Sequence, residues 1–525
     1  MSSASSKAQL LRSCTEAAQS IRNECNSILS AEGHSKESSL VGCGLALVDL
    51  LFRQAAQISV CYQELQLADS TAAMVPSEKR VLVLKRLDDI ISISYAKFYA
   101  FVFRDLPTCW RQLYTDASIL KFCLVFLQSP CLYGQAAGTE MYQAPPDGTG
   151  CELDELVKIL DLALILAGAA GEQRGRKWVN NTFELLHVVW RETIAPKDTF
   201  TLEPPKKRMK LAHALKVASS GNDVGIEDAF SVTEPFTPPV KHPIERVDDL
   251  PMEAFQAYMD NAQDVKLGPK PLIIRGSIRN WPALTTNPWS KPSYLLSRTF
   301  DGRRLVPIEI GRSYVDEGWG QKIIGFGEFL REYIDPSLGR AQYSSSGNHV
   351  STAYLAQHPL FTQLPSLRND ILIPDYCYTA PPPHPTDHGI DQPELDDPLL
   401  NAWFGPPGTI TPLHNDPYHN ILTQVVGRKY VRLYSPSDTE HMQARGRENG
   451  VEMGNTSLMD IGVVEGWDEV SDNDGRYARE DLDAFRKVPF LDCILEPGDA
   501  LYIPIGWWHY VRGLSVSFSV SFWWN

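Results

Sequence analysis

Apolar side chains return every three or four residues from the start of the chain to about residue 200. The rhythm is clearest in AQLLRSCTEAAQSIRNECNSIL, in EKRVLVLKRLDDIISISYAKFYAFVF and in KWVNNTFELLHVVWRETI, which begins at Lys177. Such spacing lines one face of an α-helix. Residues 1–200 are therefore predicted to form an all-helical domain of several amphipathic helices. No repeat of fixed period is visible. The expected role is packing or interaction, with a partner the sequence does not identify.

The texture changes over residues 201–243. PPKKRMK runs from Pro204 to Lys210, PFTPPVKHP from Pro235 to Pro243, and a Ser-, Gly- and Asp-rich stretch lies between them. Proline and small polar residues bury little apolar surface, which predicts a linker. The basic run resembles a nuclear localisation signal; a solvated charge cluster would look the same.

Residues 244–525 read as strands. PLIIRG, RLVPIEIG, NAWFG, NILTQVV, KYVRLYS, ALYIPI and LSVSFSVSFWW are candidates, with Gly, Pro, Asn and Asp between them. In the last, Ser517, Ser519 and Ser521 alternate with Phe518, Val520 and Phe522. One face is small and polar, the other large and apolar. A barrel wall with a pocket on one side and packed protein on the other has that pattern. The predicted fold class is α+β: a helical N-terminal domain followed by a C-terminal double-stranded β-helix, or jelly-roll, barrel.

Bulk properties narrow the function classes. A chain of 525 residues exceeds what one core organises. The formal net charge is −15. Nucleic-acid binding relies on Lys and Arg neutralising phosphates, so no direct nucleic-acid binding is expected; basic protein partners would suit the charge. The ten cysteines form no CxxC pair and lie mostly before Cys151. They read as free thiols of a reducing compartment rather than a disulfide frame or a zinc site. The polar opening, MSSASSKAQLLRSC, has no apolar core of the signal-peptide kind. The greasiest runs, LVGCGLALVDLLF and LVKILDLALILAGAA, fall short of the roughly twenty residues a membrane span needs. A nuclear or cytoplasmic location with no membrane partner is expected.

The chemistry concentrates in NAWFGPPGTITPLHNDPYHNILTQVVGRKYVRLYSP, from Asn401 to Pro436. His414 and Asp416 form an HxD pair, and residues two apart on a strand point to one side. An imidazole and a carboxylate converging on one point are two thirds of the facial triad that binds non-haem Fe(II). The third ligand should be a distant histidine on a facing strand, and GDALYIPIGWWHYV supplies His509. Lys429 sits among apolar and aromatic residues. A buried lysine is costly unless it meets an anion; an exposed strand lysine fits the same alternation.

Taken together, HxD, the lysine, and a late histidine after GDALYIP resemble the JmjC-domain oxygenases of the cupin superfamily. The likeness also runs through KPLIIRGSIRNWPAL, VPIEIGRSYVDEGWGQK, YLAQHPLF, IPDYC and PFLDCILEPGDALYIPIGWWHYVRGLSVSFSVSFWWN, spanning roughly residues 268 to 525. It implies Fe(II), 2-oxoglutarate as cosubstrate, and O2. His414, Asp416 and His509 would be the iron ligands. Tyr354, Thr411, Asn420 and Lys429 would hold 2-oxoglutarate, with Lys429 on its distal carboxylate. Glu309, Trp319 and Trp403 would receive the substrate side chain. Members of the family are described as arginyl hydroxylases and as histone lysine demethylases. A carboxylate with flat indoles suits a guanidinium, so hydroxylation of an arginine in a basic protein segment is the favoured expectation. N-methyl-lysine demethylation and an idle scaffold using the helical domain are the alternatives. Thr411 stands where the family more often has Ser. The segments 380–397 and 440–483 are acidic and longer than is usual, which bears on the substrate. His384 and His388, in HPTDH, mimic a metal motif but lie in a Pro-rich loop that argues for a structural or incidental role.

Overall fold

The computed structural model describes residues 3–30, 39–67, 77–101, 105–129, 152–171, 174–194, 229–262, 267–316, 318–335, 352–387, 389, 392–448, 450–468 and 479–525. The chain divides into two compact units, Met1–Asn222 with Arg303–Leu305, and Asp223–Gly302 with Val306–Asn525.

The first unit is helical throughout its described residues. Its α-helices are α1 (Ser3–Ser30), α2 (Leu45–Leu67), α3 (Ser77–Phe98), α4 (Thr108–Gln128), α5 (Glu152–Ala167) and α6 (Gly175–Ile194). In α1 the buried positions are Leu10, Cys14, Ala17, Ile21, Cys25 and Ile28, the three-and-four spacing of a single apolar stripe. Arg174, just before α6, is buried and reaches Asp116 of α4 at 2.8 Å and Glu24 of α1 at 2.6 Å. That knot joins three elements, and periodicity alone gives no sign of it. The described cysteines are all free thiols, most of them buried. One stretch, Leu45–Gln63, is long and apolar enough to cross a membrane; here it packs Leu51, Ala55, Ile58 and Tyr62 into the unit. The basic run Pro204–Lys210 lies outside the described residues.

The second unit holds the barrel. Its strands are β1 (Arg246–Asp248), β2 (Leu272–Arg275), β3 (Leu305–Ile310), β4 (Gly320–Gly325), β5 (Ala353–His358), β6 (Leu399–Gly405), β7 (Ile410–His414), β8 (His419–Val426), β9 (Lys429–Tyr434), β10 (Arg447–Glu448), β11 (Val451–Glu452), β12 (Leu491–Leu495), β13 (Asp499–Ile503), β14 (Trp508–Gly513) and β15 (Ser517–Trp524). A nine-stranded sheet has the order β1-β2-β13-β8-β15-β6-β5-β3-β4, and a four-stranded sheet the order β12-β9-β14-β7. Between them lies an apolar layer of Ile273, Leu422, Leu501 and Ile503 from the large sheet and Val431, Leu433, Leu495 and Val511 from the small one. This is the double-stranded β-helix that the strand pattern predicts.

Each sheet is covered on its outer face too. Phe404, Phe518, Val520 and Phe522 pack under Phe255, Trp281, Trp289, Phe326 and Phe329. Full burial of one such side chain contributes roughly 1.5–3 kcal/mol. The Ser/Phe alternation of β15 therefore sorts as expected, with the phenylalanines in this outer core and the serines turned to the barrel interior. The small sheet's outer residues, Tyr430, Tyr434, Trp508 and Tyr510, pack under Met442, Met459, Ile461, Val464 and Phe485. The acidic segment from Glu440 is thus a built cover rather than a free loop.

Composition places residues 229–243 in the linker, but they are packed. Phe230 enters the outer core, and the backbone N–H groups of Lys241 and His242 donate to the buried Asp492 carboxylate. A Pro-rich strap can dock in this way because a side-chain carboxylate satisfies the donors that a sheet partner would otherwise take.

Two tight corners carry the chain from the large sheet to the small one. At the first, Gly427 (φ 66°) lies between β8 and β9, and a Cβ there would collide with the Val516 carbonyl. At the second, Gly506 (φ 81°) lies between β13 and β14, and a Cβ would run into the His384 ring. Gly427→Ala combines left-handed strain with backbone overlap, so it should destabilise the protein by about 2–4 kcal/mol. Denaturant unfolding checks this; a variant as stable as the parent would show that the corner relaxes freely.

Candidate active site

β7 and β14 run antiparallel, and His414 stands directly opposite His509 in the register. Their ring centroids are 4.2 Å apart. Each ring is oriented by the same device: a backbone carbonyl accepts from Nδ1, that of Pro412 at 2.8 Å for His414 and that of Trp507 at 3.1 Å for His509. A carbonyl can only accept, so Nδ1 carries the proton, and in the neutral ring Nε2 keeps its lone pair. Both Nε2 atoms lie 3.5 Å from the Asp416 carboxylate, one on each oxygen. Strand alternation places Asp416 beside His414, but β7 ends at His414 and Asp416 stands in the turn that follows. Asn420 holds it there, donating from Nδ2 to Oδ2 at 2.9 Å.

The three side chains are buried and offer one ligand atom each, all within 4.8 Å of one another. No other group of this kind occurs among the described residues. Burial opposes protonation of both histidines. It wins at His509, whose pKa falls to about 4 with the help of His414 nearby. At His414 it is outweighed by the Asp416 carboxylate, and the pKa rises. Burial would raise Asp416, but the two imidazoles hold it below its ordinary value. The cluster is thus an electron-rich triad that favours positive charge at its centre. Two imidazole nitrogens and one carboxylate oxygen suit Fe(II) and leave room for further ligands. The side-chain carbonyl of Asn420 is a second sign of fit: Oδ1 is buried without a hydrogen-bond partner.

The triad opens into a small cavity lined by Tyr354, Trp403, Thr411, Asn420, Leu422, Lys429, Val511 and Ser521 as well as the three triad residues. All four predicted cosubstrate residues are therefore brought together. Lys429 is the first residue of β9 and shares its inward face with Val431 and Leu433. It is 1% exposed, and its ammonium donates to the Tyr354 hydroxyl at 3.2 Å. No carboxylate faces it among the described residues, and burial pushes its pKa down to about 7. Tyr354 also shares a hydrogen bond with Thr411, and burial holds its phenol protonated far above neutral pH. One end of the cavity thus carries a buried amine with two hydroxyls, the other a His–Asp–His triad whose chemistry suits a metal.

The predicted substrate residues divide between two places. Trp403 lines the cavity, its indole donating to Ser521 at 2.9 Å and its ring 6.1 Å from that of Tyr354. Glu309 pairs with Tyr354 in the β3–β5 register, so the two stand side by side. Burial raises the Glu309 pKa to about 7, against a hydrogen bond from Trp319. Trp319, which makes that bond, is 38% exposed. Residue patterns do not single out Ser521, although the polar face of β15 already carries the signal. His384 is packed against Gly506 and accepts from the Asp387 backbone at 2.9 Å, a structural setting; His388 lies outside the described residues. The acidic cover meets the site directly: Ser457 donates to the Leu413 carbonyl at 2.8 Å, beside the first ligand.

The cupin-like domain family matches residues 260–525. Over 441 residues the chain is 34% identical to Lysine-specific demethylase 8 of Danio rerio, covering 84% of this chain and 87% of that protein. It is 38% identical over 282 residues to Lysine-specific demethylase JMJ30 of Arabidopsis thaliana, 54% of each chain. A more distant relative is the bifunctional peptidase and (3S)-lysyl hydroxylase JMJD7 of Homo sapiens, 25% identical over 271 residues, covering 49% of this chain and 77% of that one. The chain belongs to the cupin-like JmjC family of Fe(II)- and 2-oxoglutarate-dependent oxygenases.

Proposed function

We propose that this protein hydroxylates an arginine side chain of a protein substrate. The observation that carries the reading is Glu309, a partly buried carboxylate beside the cavity with no cationic partner among the described residues, flanked by Trp319 and by the Tyr354–Trp403 pair. A guanidinium brings two parallel donors to a carboxylate and a flat face to an indole. Fe(II) with 2-oxoglutarate and O2 supplies the oxidising chemistry that places one oxygen atom in a substrate C–H bond. The chain's own part is positioning. His414, Asp416 and His509 hold the metal, Lys429 with Tyr354 and Thr411 captures the distal carboxylate of the cosubstrate, and Asn420 braces Asp416. Glu309 loses its proton to pair with the incoming cation.

Demethylation of N-methyl-lysine is the second reading, favoured by the names of the first relatives. The same triad would serve it, with hydroxylation of the methyl group followed by loss of formaldehyde. A nuclear site of action, through Pro204–Lys210, belongs to the proposal in either form.

The substrate is tested with Fe(II)-reconstituted protein, 2-oxoglutarate, O2 and peptides containing arginine or methyl-lysine. Mass spectrometry should show a gain of about 16 Da on arginine, absent with His414→Ala. Loss of methyl groups with formaldehyde release would replace the first reading with the second. Glu309→Gln should raise KM by about tenfold or more while leaving 2-oxoglutarate binding intact.

Lys429 gives a pH test. Below about pH 7 it is protonated whether folded or unfolded; between about 7 and 10.5 the folded protein has released a proton that the unfolded chain keeps. The unfolded state then binds more protons, so stability of the cosubstrate-free protein gains from rising pH across that window. A dicarboxylate restores the charge, so binding should take up a proton, with uptake small near pH 6 and approaching one near pH 8. Calorimetry in buffers of different ionisation enthalpy, with Mn(II) and 2-oxoglutarate, reads this directly. Uptake that persists in Lys429→Met would assign it elsewhere.

A further inference from the structure

The triad cavity continues beyond Trp403. Three neighbouring strands, β15, β6 and β5, carry its wall through Ser521, Trp403 and Tyr354. Residues two places away on a strand share a face. Two places along these strands stand Trp523, Asn401 and Ala356, and all three line a second, open cleft. Glu309 lines that cleft as well, and its register partner Tyr354 lines the cavity. The cleft is therefore the outward extension of the place where a target cation would sit.

Two features mark this cleft as built for a polar chain. At Gln357 in its wall the register between β5 and β6 shifts, and the backbone adopts φ 46°. A non-glycine residue held in that region at a bulge re-aims the strand away from its ladder. The same cleft is lined by Arg368, at the end of the short helix Pro365–Arg368. Its guanidinium is half-buried and donates to the Ile371 carbonyl at 2.9 Å. Among the described residues no ion pair includes it, so its positive charge faces the cleft with most of its donors available.

We propose that this cleft seats the residues flanking the target, and that Arg368 selects substrates carrying an Asp or Glu in that flank. The inference rests on the arginyl-hydroxylase reading for the target itself. Glu309 and Arg368 then make the cleft bipolar, taking a cation at its inner end and an anion further out. Asp396 and Asp397 are exposed at the lip, just before Pro398. Solvent screens charges on such a rim more than a half-buried guanidinium, so the acidic flank is the preferred one.

The test uses the full chain with Mn(II) and 2-oxoglutarate and fluorescently labelled arginine peptides. Glu, Gln or Lys is placed in turn at each position up to about four residues either side of the target, the reach of an extended segment at ~3.3 Å per residue. At one or two positions Glu should bind about three- to tenfold more tightly than Gln. Arg368→Gln should remove that preference, and Arg368→Glu should reverse it in favour of Lys, each at an unchanged melting temperature. With Fe(II) in place of Mn(II), the effect should fall on KM and leave kcat unchanged. Binding indifferent to flank charge, a preference for Lys in the parent protein, or a Glu preference that survives Arg368→Gln would each overturn the assignment. Arginine hydroxylation with no flank preference would sink the cleft and spare the hydroxylase. Arg368-dependent binding of acidic peptides without arginine oxidation would do the reverse.

Discussion

The register of the four-stranded sheet is the constraint on which the rest depends. In β9, Lys429, Val431 and Leu433 face the barrel interior while Tyr430, Arg432 and Tyr434 face outward. In β14, His509 meets His414 across the ladder. A slip of one residue exchanges the faces. It would send Lys429 and His509 out of the cavity and drive Arg432 into the apolar layer. Site and core are thus specified by the same hydrogen-bond ladder, and the core's demand for apolar residues inward fixes where the charged ones fall.

The outward residues show how that register is locked. Arg432 is 1% exposed, stacks 3.9 Å from Phe490 and pairs with Glu465 at 2.7 Å. A buried guanidinium without its carboxylate would cost several kcal/mol, so Glu465 must come to it. The cover carries further anchors of the same sort. Arg512 of β14 and Arg312 both grip Asp468, and Arg312 also holds Asp460. The acidity of the 440–483 segment is explained here at particular residues: several of its carboxylates are counter-ions for arginines on or beside the ligand strands. Through Ser457 and Leu413 that cover braces the end of β7 where His414 stands.

Much of this was legible in the residues. The seven strand candidates all fall on strands, because turn residues bracket them and their alternation matches a sheet buried on both faces. The triad was legible because ligand chemistry restricts residue types, whereas alternation left Lys429 open between a buried and an exposed position, and its place on one face with Val431 and Leu433 comes from the structure. Other features were not. Asp416 reaches the site from a turn, through Asn420, where strand alternation does not operate. The strap at 229–243 reads as linker because its anchors lie far away in sequence: the outer core around Phe230, Arg428 paired with Glu234, and the Asp492 carboxylate. Arg174 carries no local signature at all; its meaning comes from Asp116 and Glu24, which distant segments place beside it.

The two charges at the heart of the site are kept apart. Lys429 and Glu309 are both pushed to about 7 by burial, from opposite directions, and they form no ion pair with each other. Tyr354 stands between them: its hydroxyl takes the lysine, and its backbone pairs with the strand carrying the glutamate. Had the two closed into an ion pair, each would have been satisfied and the cavity would have lost its appetite for ligands of either sign. Separated by a neutral phenol, each can shed its charge when the site is empty and recover it when a partner of opposite sign arrives. The unpaired state costs stability, which the aromatic layers on both sheets supply. Under the proposed function, an anion at one end and a cation at the other would satisfy both.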